Sequence, residues 1–295
     1  MEKRTFILDT DWWTDCDDIV AVRLLCNLHK AEKINFKGIC INTRMEHSVS
    51  SLSAFLVNED LDLPIGISKA PITPDMDEPL KYQYFMKDFP HKLQNDDCLD
   101  GVSFYRKMLA ESETQIEIIE IGFQNILADL LDSQPDQYSP LTGMELVKQK
   151  VKKLWAMAGK WDENPGREYN FYCCAESKKA GAYMCDNWPT PIAFLGFEVG
   201  WEVISGSKLE PSDFLKKCMV VHGSPNGRHS WDPMTALYAY IGDAEKAGYK
   251  EVFGKATVNP TDGSNTFVED QNGPHSYVIP LFDKAYYANQ IDDLL

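Results

Sequence analysis

Thr5-Phe6-Ile7-Leu8-Asp9-Thr10-Asp11-Trp12-Trp13-Thr14-Asp15-Cys16-Asp17-Asp18 is the stretch that decides the fold. An apolar, strand-like run ends in five aspartates within ten positions. Behind it, Ala21, Leu24, Leu25 and Leu28 recur at i, i+3, i+4 and i+7, the spacing of an amphipathic helix over Ile19 to Leu28. The acids therefore sit on a strand-to-helix turn, at the carboxyl end of a first strand. Open α/β sheets bind ligands at that edge. Carboxylates this close repel one another wherever water is excluded. A hard, oxygen-seeking cation such as Ca²⁺ or Mg²⁺ relieves the repulsion. The simpler alternative is a solvated acidic turn whose last Asp caps the helix.

Two other motifs fail on spacing. An EF-hand loop counted from Asp9 needs Gly at its sixth position and Glu at its twelfth. Thr14 and Val20 stand there. The aspartate-nucleophile phosphatases share only Asp9-Thr10-Asp11, and Trp13 occupies the place of their small residue.

Outward from this turn, strand-like and helix-like segments alternate. Strands are expected at Phe36 to Ile41, Leu63 to Ile67, Gln115 to Ile121, Lys153 to Met157 and Ile192 to Leu195. Helices are expected at His47 to Val57, Gly101 to Glu111, Ile126 to Leu131, Thr142 to Lys152, Ala175 to Asp186, Pro211 to Cys218 and Met234 to Tyr240, the last capped by Asp232 with Pro233 in its first turn. Asp75 to Asp100, acidic and aromatic, interrupts the rhythm as an insertion flanking the active site, with one short helix. From Glu251 the segments become short and alternating around Gly and Asn turns, before a final helix from Phe282 to Leu295. The pattern predicts an α/β fold, Rossmann-like, with a mainly parallel sheet flanked by helices and a small antiparallel appendage near the C-terminus. With no linker or repeat in view, residues 1–295 are read as a single domain.

Composition narrows the function. A net charge of −16 and a pI of about 4.8 argue against binding a nucleic-acid backbone or an anionic membrane surface. An uncharged nucleoside is compatible with both. No run of about 18 apolar residues occurs. Met1-Glu2-Lys3-Arg4 leads straight into the first strand, with no apolar segment of secretory type before it. The eight cysteines form no CxxC pair, and several lie in core-like segments. A reduced, cytoplasmic protein without structural zinc is expected. Cys173-Cys174 reads as a buried structural pair, with no helix start or basic neighbour beside it to lower a thiol pKa.

Each strand end carries polar residues. Asp11, Asp17 and Asp18 follow the first strand, Asn42 the second and Asn125 the Ile121 strand. Asp162, Asn164, Glu168 and Asn170 follow the Met157 strand, and Asp232 begins a late helix. In a parallel sheet these loops converge on one cleft. Carboxylates and amides around a hard cation suit a polyhydroxylated neutral ligand such as a sugar.

In this order the motifs resemble those of the inosine-uridine-preferring nucleoside hydrolases, from Ile7 to about Tyr240. The opening stretch is similar to the family's Asp-rich signature, in a form with two extra residues before the final Asp-Asp. Ile121-Gly122-Phe123-Gln124-Asn125-Ile126-Leu127-Ala128 resembles its Gly-Pro-Leu-Thr-Asn segment, with Asn125 where the family has Thr and Ile126 where it has Asn. Glu168-Tyr169-Asn170 resembles its Glu-Phe-Asn ribose loop, and Trp231-Asp232-Pro233 its late His-Asp-Pro. The resemblance implies Ca²⁺-dependent hydrolysis of the N-glycosidic bond of a ribonucleoside by a homo-oligomer. It implies Ca²⁺ held by the carboxylates of Asp11, Asp18 and Asp232 and by the main-chain carbonyl of Asn125. Asp11 would take the proton of a calcium-bound water. Asp17 would hold the ribose 2′-hydroxyl, Asn170 and Asp232 the 3′-hydroxyl, and Glu168 and Asn164 the 5′-hydroxyl.

The departures bear on substrate and leaving group. Trp12-Trp13 replaces the family's glycine-containing turn, which puts an indole beside the pocket and removes easy access to positive φ. Trp231 replaces the His often assigned to leaving-group protonation, with His222 and His229 nearby. Trp12, Trp13, Trp161 and Trp231 are expected in or beside the cleft, where they could stack on a base. Trp155, Trp188 and Trp201 are expected in the core. Two alternatives stay open: a hydrolase of another N-ribosyl compound, and a catalytically impaired, calcium-dependent ribosyl-binding protein.

Overall fold

The computed structural model describes residues 3–70, 72 and 80–295, so residues 75–79 of the expected insertion lie outside the described residues. The chain opens with β1 (Thr5–Thr10), α1 (Asp17–Lys30), β2 (Asn35–Ile41), α2 (Ser48–Asn58) and β3 (Ile65–Ile67). Then come α3 (Lys81–Met86), a 3₁₀ turn at Asn95–Asp97, β4 (Leu99–Asp100) and α4 (Gly101–Ala110). The centre of the chain supplies β5 (Ile116–Glu120), α5 (Asn125–Asp132), α6 (Gly143–Lys150) and β6 (Val151–Met157). Short elements follow: β7 (Gly166–Arg167), α7 (Tyr169–Tyr172), α8 (Ala175–Asn187), β8 (Ile192–Leu195), α9 (Phe197–Gly200) and β9 (Ile204–Ser205). The chain closes with α10 (Phe214–His222), β10 (Arg228–His229), α11 (Trp231–Ile241), β11 (Tyr249–Val258), β12 (Ser264–Glu269), β13 (His275–Pro280) and α12 (Lys284–Asp292).

The described strands form one large sheet in the order β4-β3-β2-β1-β5-β6-β8-β13-β11-β12-β7, with β9 and β10 as a separate pair. From β4 to β13 every pairing is parallel. β1 lies inside, between β2 and β5, and is buried throughout, which is why its apolar residues run without alternation. Its period of two still sorts side chains. Phe6 and Leu8 join the core beneath α1, α2 and α11, while Ile7 joins the core beneath α4, α5 and α8. Asp9 shares the Ile7 side. There its carboxylate accepts bonds from Tyr105 Oη at 2.7 Å and Asn42 Nδ2 at 2.6 Å. The first aspartate of the signature is therefore a core residue.

The C-terminal strands supply the expected small antiparallel part, as one edge of the main sheet: β13 pairs in parallel with β8, and β11, β12 and β7 continue it antiparallel. Three expectations are corrected. The helix expected at Pro211 to Cys218 begins later, because Asp213 caps Leu215 and Lys216, and it ends at Gly223 with φ of +108°. The N-cap of α11 is Ser230. Asp232 is already in the first turn, which frees its carboxylate, and Pro233 is tolerated there because first-turn N–H groups have no helical partner. Trp201 is 41% exposed rather than core, whereas Trp155 and Trp188 are buried as expected.

Candidate active site

The carboxyl ends of β1, β5 and β6 open into a cavity of about 210 Å³. Its charged lining is acidic throughout: Asp11, Asp15, Asp17, Asp18, Glu168 and Asp232. Trp13, Tyr169, Phe197 and Trp231 supply aromatic walls, and Thr14, Ile121, Met157 and Asn170 complete it. Of the anticipated residues, the fold brings together Asp11, Asp17, Asp18, Glu168, Asn170, Trp231 and Asp232.

The acidic turn is built by several constraints. Asp17 and Asp18 occupy the first turn of α1, whose N-cap Cys16 contributes no side-chain bond. The helix dipole favours negative charge at that end. Both residues are buried, which excludes the solvated capping turn. Asp18 accepts from the Thr10 hydroxyl and from Trp12 N at 3.3 Å, and Asp17 accepts from Asp232 N at 3.2 Å. Carboxylate oxygens of Asp17, Asp18 and Asp232 lie within 4.8 Å of one another. Asp11 accepts from Trp13 N at 3.1 Å on the same turn. Gly122 must be glycine, since a Cβ there would stand 2.5 Å from Asp11 N and 2.8 Å from Asn42 Nδ2.

Burial and then mutual repulsion push the acids up. The Asp11 carboxyl rises to about 8, through burial first and the Asp17 charge second. Asp17, Asp18 and Asp232 rise well above the ordinary carboxylate range for the same two reasons. Asp15 is held by Arg228, which forks onto both carboxylate oxygens, with Nε–Oδ1 at 2.9 Å. The remaining donor set is hard oxygen, close-set and buried, with no cationic side chain lining the cavity among the described residues. It fits a divalent ion such as Ca²⁺ or Mg²⁺.

Across the cavity, Glu168 caps α7. Its Oε1 accepts from Asn170 N at 2.8 Å and its Oε2 from Gly159 N at 2.9 Å. Burial raises this carboxyl to about 7. Asn170 Nδ2 donates to Met157 O at 2.9 Å, which leaves its carbonyl oxygen to accept.

Two anticipated residues do not line the cavity. Asn164 stands exposed at the tip of the 158–170 loop, because the inward turn is made by Glu168 and its caps. Asn125 donates to Asn42 O at 3.1 Å and lines a different surface cavity with Asp129 and Glu176. Being the first residue of α5, it ties that helix to the end of β2. The two histidines lie outside as well. His229 Nδ1 accepts from Glu202 N at 2.8 Å and its ring stacks on Trp201 at 4.3 Å. His222 Nδ1 and Ser224 Oγ are 2.9 Å apart. Trp161 is buried against Phe194 and Tyr277.

The tryptophan pair divides its duties. Trp12 adopts the positive φ that the missing glycine would have supplied, at +44°, and is fully buried. Its indole donates to Ser51 Oγ at 2.9 Å and packs on Phe55 and Tyr82. Gln83 Nε2 donates to the Trp12 carbonyl, so α3 of the acidic, aromatic segment braces the turn from behind. Trp13 faces the cavity and lies nearly parallel to Tyr169, with centroids 6.2 Å apart. Sequence reasoning missed Tyr169, Phe197 and Asp15 as lining residues. Only the position of Tyr169, between Glu168 and Asn170, could have signalled it.

One thiol also departs from expectation. Cys174 is the N-cap of α8, with its sulfur accepting from Ser177 N at 3.4 Å. A hydrogen bond from Cys173 is the largest cause that lowers it to about 7. Both cysteines are buried, as anticipated.

The raised carboxyls predict a pH dependence. Asp11 at about 8, Asp9 at about 7 and Glu168 at about 7 all lie above their ordinary values of 3.8 and 4.5. The cation-free native state then binds more protons than the unfolded chain between about pH 4 and pH 8, so stability falls as pH rises through that window. Cation-free protein is expected to melt on the order of 5 °C lower at pH 8 than at pH 5. Added Ca²⁺ should raise Tm more at pH 8 than at pH 5. Differential scanning calorimetry with and without EDTA tests both, and a flat Tm over this range would contradict the burial of ionisable acids.

No protein-family model and no curated protein matches the chain by sequence. Solved structures do match in three dimensions. The inosine-uridine preferring nucleoside hydrolase of Bacillus anthracis aligns over 99% of this chain and 100% of its own, with 16% identity and a TM-score of 0.71. An inosine-guanosine nucleoside hydrolase aligns over 99% and 98%, with 15% identity and a TM-score of 0.73. The purine-preferring ribonucleoside hydrolase of Gardnerella vaginalis aligns over 99% and 98%, with 16% identity and a TM-score of 0.71. At these identities the likeness is one of architecture, and it spans the whole chain: this protein has the nucleoside hydrolase fold.

Proposed function

We propose that the protein is a Ca²⁺-dependent N-ribohydrolase that cleaves the N-glycosidic bond of a small ribosyl compound and releases ribose. The buried cluster of Asp17, Asp18 and Asp232 beside Asp11 supports this most directly. The names of the solved neighbours, which are hydrolases of inosine, uridine, guanosine or purine ribonucleosides, point the same way. Asp11, Asp18 and Asp232 would hold the ion, with Asp17 within reach of the same position. Bound there, a divalent ion lowers the pKa of water and orients sugar hydroxyls.

The chain's own residues do the rest. Asp11 accepts the proton of the water that attacks C1′. The surrounding carboxylates stabilise the positive charge that develops on the ribosyl ring as the bond to nitrogen lengthens. Asp17 accepts from the 2′-hydroxyl. The Asn170 carbonyl oxygen and Asp232 accept from the 3′-hydroxyl. Glu168 accepts from the 5′-hydroxyl. Asn125 and Asn164 have no place in this reading, because neither lines the cavity.

Free-ribose release from inosine, uridine, guanosine and p-nitrophenyl riboside, with Ca²⁺ and with EDTA, tests it. Calcium-dependent release from at least one riboside is expected. Silence on every riboside, with calcium bound by calorimetry, would replace hydrolysis with ribosyl binding.

A further inference from the structure

Four rings line the cavity beside its carboxylates, and no Lys, Arg or His lines it among the described residues. Trp13 and Tyr169 are nearly parallel, at 8°, and Phe197 and Trp231 pack 5.4 Å apart at 30°. Aromatic faces carry negative potential, and they attract cations most strongly where water is excluded. With the carboxylates assigned to the ion, the ribose and Arg228, the aromatic faces are what remain to meet the aglycone, and they favour a cationic ring over a neutral one. The rim already shows this pairing: Arg228 is forked onto Asp15, and its guanidinium carbon lies 5.4 Å from the Trp231 ring centroid. The net charge of −16 adds a long-range field of the same sign.

The exit of the leaving group points the same way. A neutral base departs as an anion unless it is protonated. Both histidines near the cavity stay outside it. Glu168 uses both oxygens as acceptors of backbone N–H bonds. Tyr169 has a buried hydroxyl with no partner, but burial pushes this phenol above its ordinary range, which makes it a poor proton donor. It can instead bond a polar ring substituent.

We propose that the aglycone suited to this cavity is a quaternised heteroaromatic ring of the pyridinium type, so that the substrate is an N-ribosylated aromatic cation; this rests on the N-ribohydrolase reading above. In the reaction the C1′–N bond breaks and its electron pair goes to the ring nitrogen, which becomes neutral. A C1′–O bond forms to water, whose proton passes to Asp11 and then to solvent. One cation and one water give ribose, a neutral heterocycle and one proton, with no acid needed on the leaving side.

The test compares nicotinamide riboside with p-nitrophenyl riboside, inosine and uridine in the presence of Ca²⁺. The two activated ribosides both leave without protonation, so neither depends on an acid on the leaving side, and the effect of charge alone is read from the matched binding pair below. A kcat/KM for nicotinamide riboside at least tenfold above p-nitrophenyl riboside is expected, with inosine and uridine lower still. Binding is measured in parallel with the 1-methylnicotinamide cation and its neutral isostere 3-methylbenzamide. The cation should bind at least tenfold tighter, and Trp13→Leu should remove most of that difference. Turnover of p-nitrophenyl riboside with no preference for the cationic riboside would overturn the inference and leave the hydrolase reading intact. Preferential cation binding without turnover of any riboside would overturn the hydrolase reading and keep the aglycone. Equal binding of cation and isostere overturns the inference in either case.

Discussion

Asp11→Ala is expected to lower kcat/KM by about 10³-fold or more and to weaken calcium binding severely, because in the mechanism we propose one residue serves as both base and ligand. The wild-type carboxyl sits at about 8 without a cation, pushed up by burial and the neighbouring Asp17. If calcium occupies the cluster as proposed, its binding at pH 7 displaces protons from this group and its neighbours. Titration calorimetry in buffers of different ionisation enthalpy should detect that release in the wild type and a smaller release in Asp11→Ala. Asp11→Asn separates the roles, since it keeps the shape of the side chain and removes the base. Its expected signature is a loss of kcat larger than its loss of calcium affinity. Wild-type turnover by the alanine variant would end the assignment of Asp11 as base and ligand and send the search for the base to another carboxylate of the cavity.

Trp12→Ala is expected to destabilise the protein by about 3–5 kcal/mol, the usual cost of deleting a fully buried aromatic side chain. The indole is fully buried, bonded to Ser51 Oγ and packed on Phe55 and Tyr82. Its backbone is in the left-handed region, at φ +44°, where an alanine gains no relief. Trp12→Gly regains conformational freedom at that angle but still leaves the cavity behind. It should recover only a small part of the loss. Urea unfolding measures both, and a cost below about 1 kcal/mol for Trp12→Ala would mean that α3 and α2 close over the space. Since Trp12 N bonds Asp18, the surviving folded protein should also bind calcium more weakly.

The order of helices and strands was legible because period-two and period-3.6 apolar patterns are local properties of the chain. Ile192–Leu195 and Ala175–Asn187 come out within a residue of expectation. Element ends were less legible where a cap decided them, as Asp213 does for α10 and Ser230 for α11. Of the site, the carboxylates and Asn170 could be read from their place after strand ends. Asn164 and Asn125 occupy equivalent places in sequence yet miss the cavity, because a loop position does not reveal which of its side chains turns inward.

By itself, the sequence determined that this is an α/β chain with its acids gathered at one sheet edge. A buried parallel strand requires an apolar run, and the residues after it must leave the sheet on the ligand-binding side. Tertiary structure alone decided which aspartates share a site. Asp9 and Asp11 are two residues apart, but Asp9 turns to Tyr105 and Asn42 in the core while Asp11 lines the cavity beside Asp232, more than 200 positions along the chain. It also decided which tryptophan lines the cavity, since Trp12, at φ +44°, sends its indole into the core against Phe55 and Tyr82 while Trp13 lies at the cavity beside Tyr169. Those choices depend on what packs against the turn from distant segments, and no local pattern of residues contains that information.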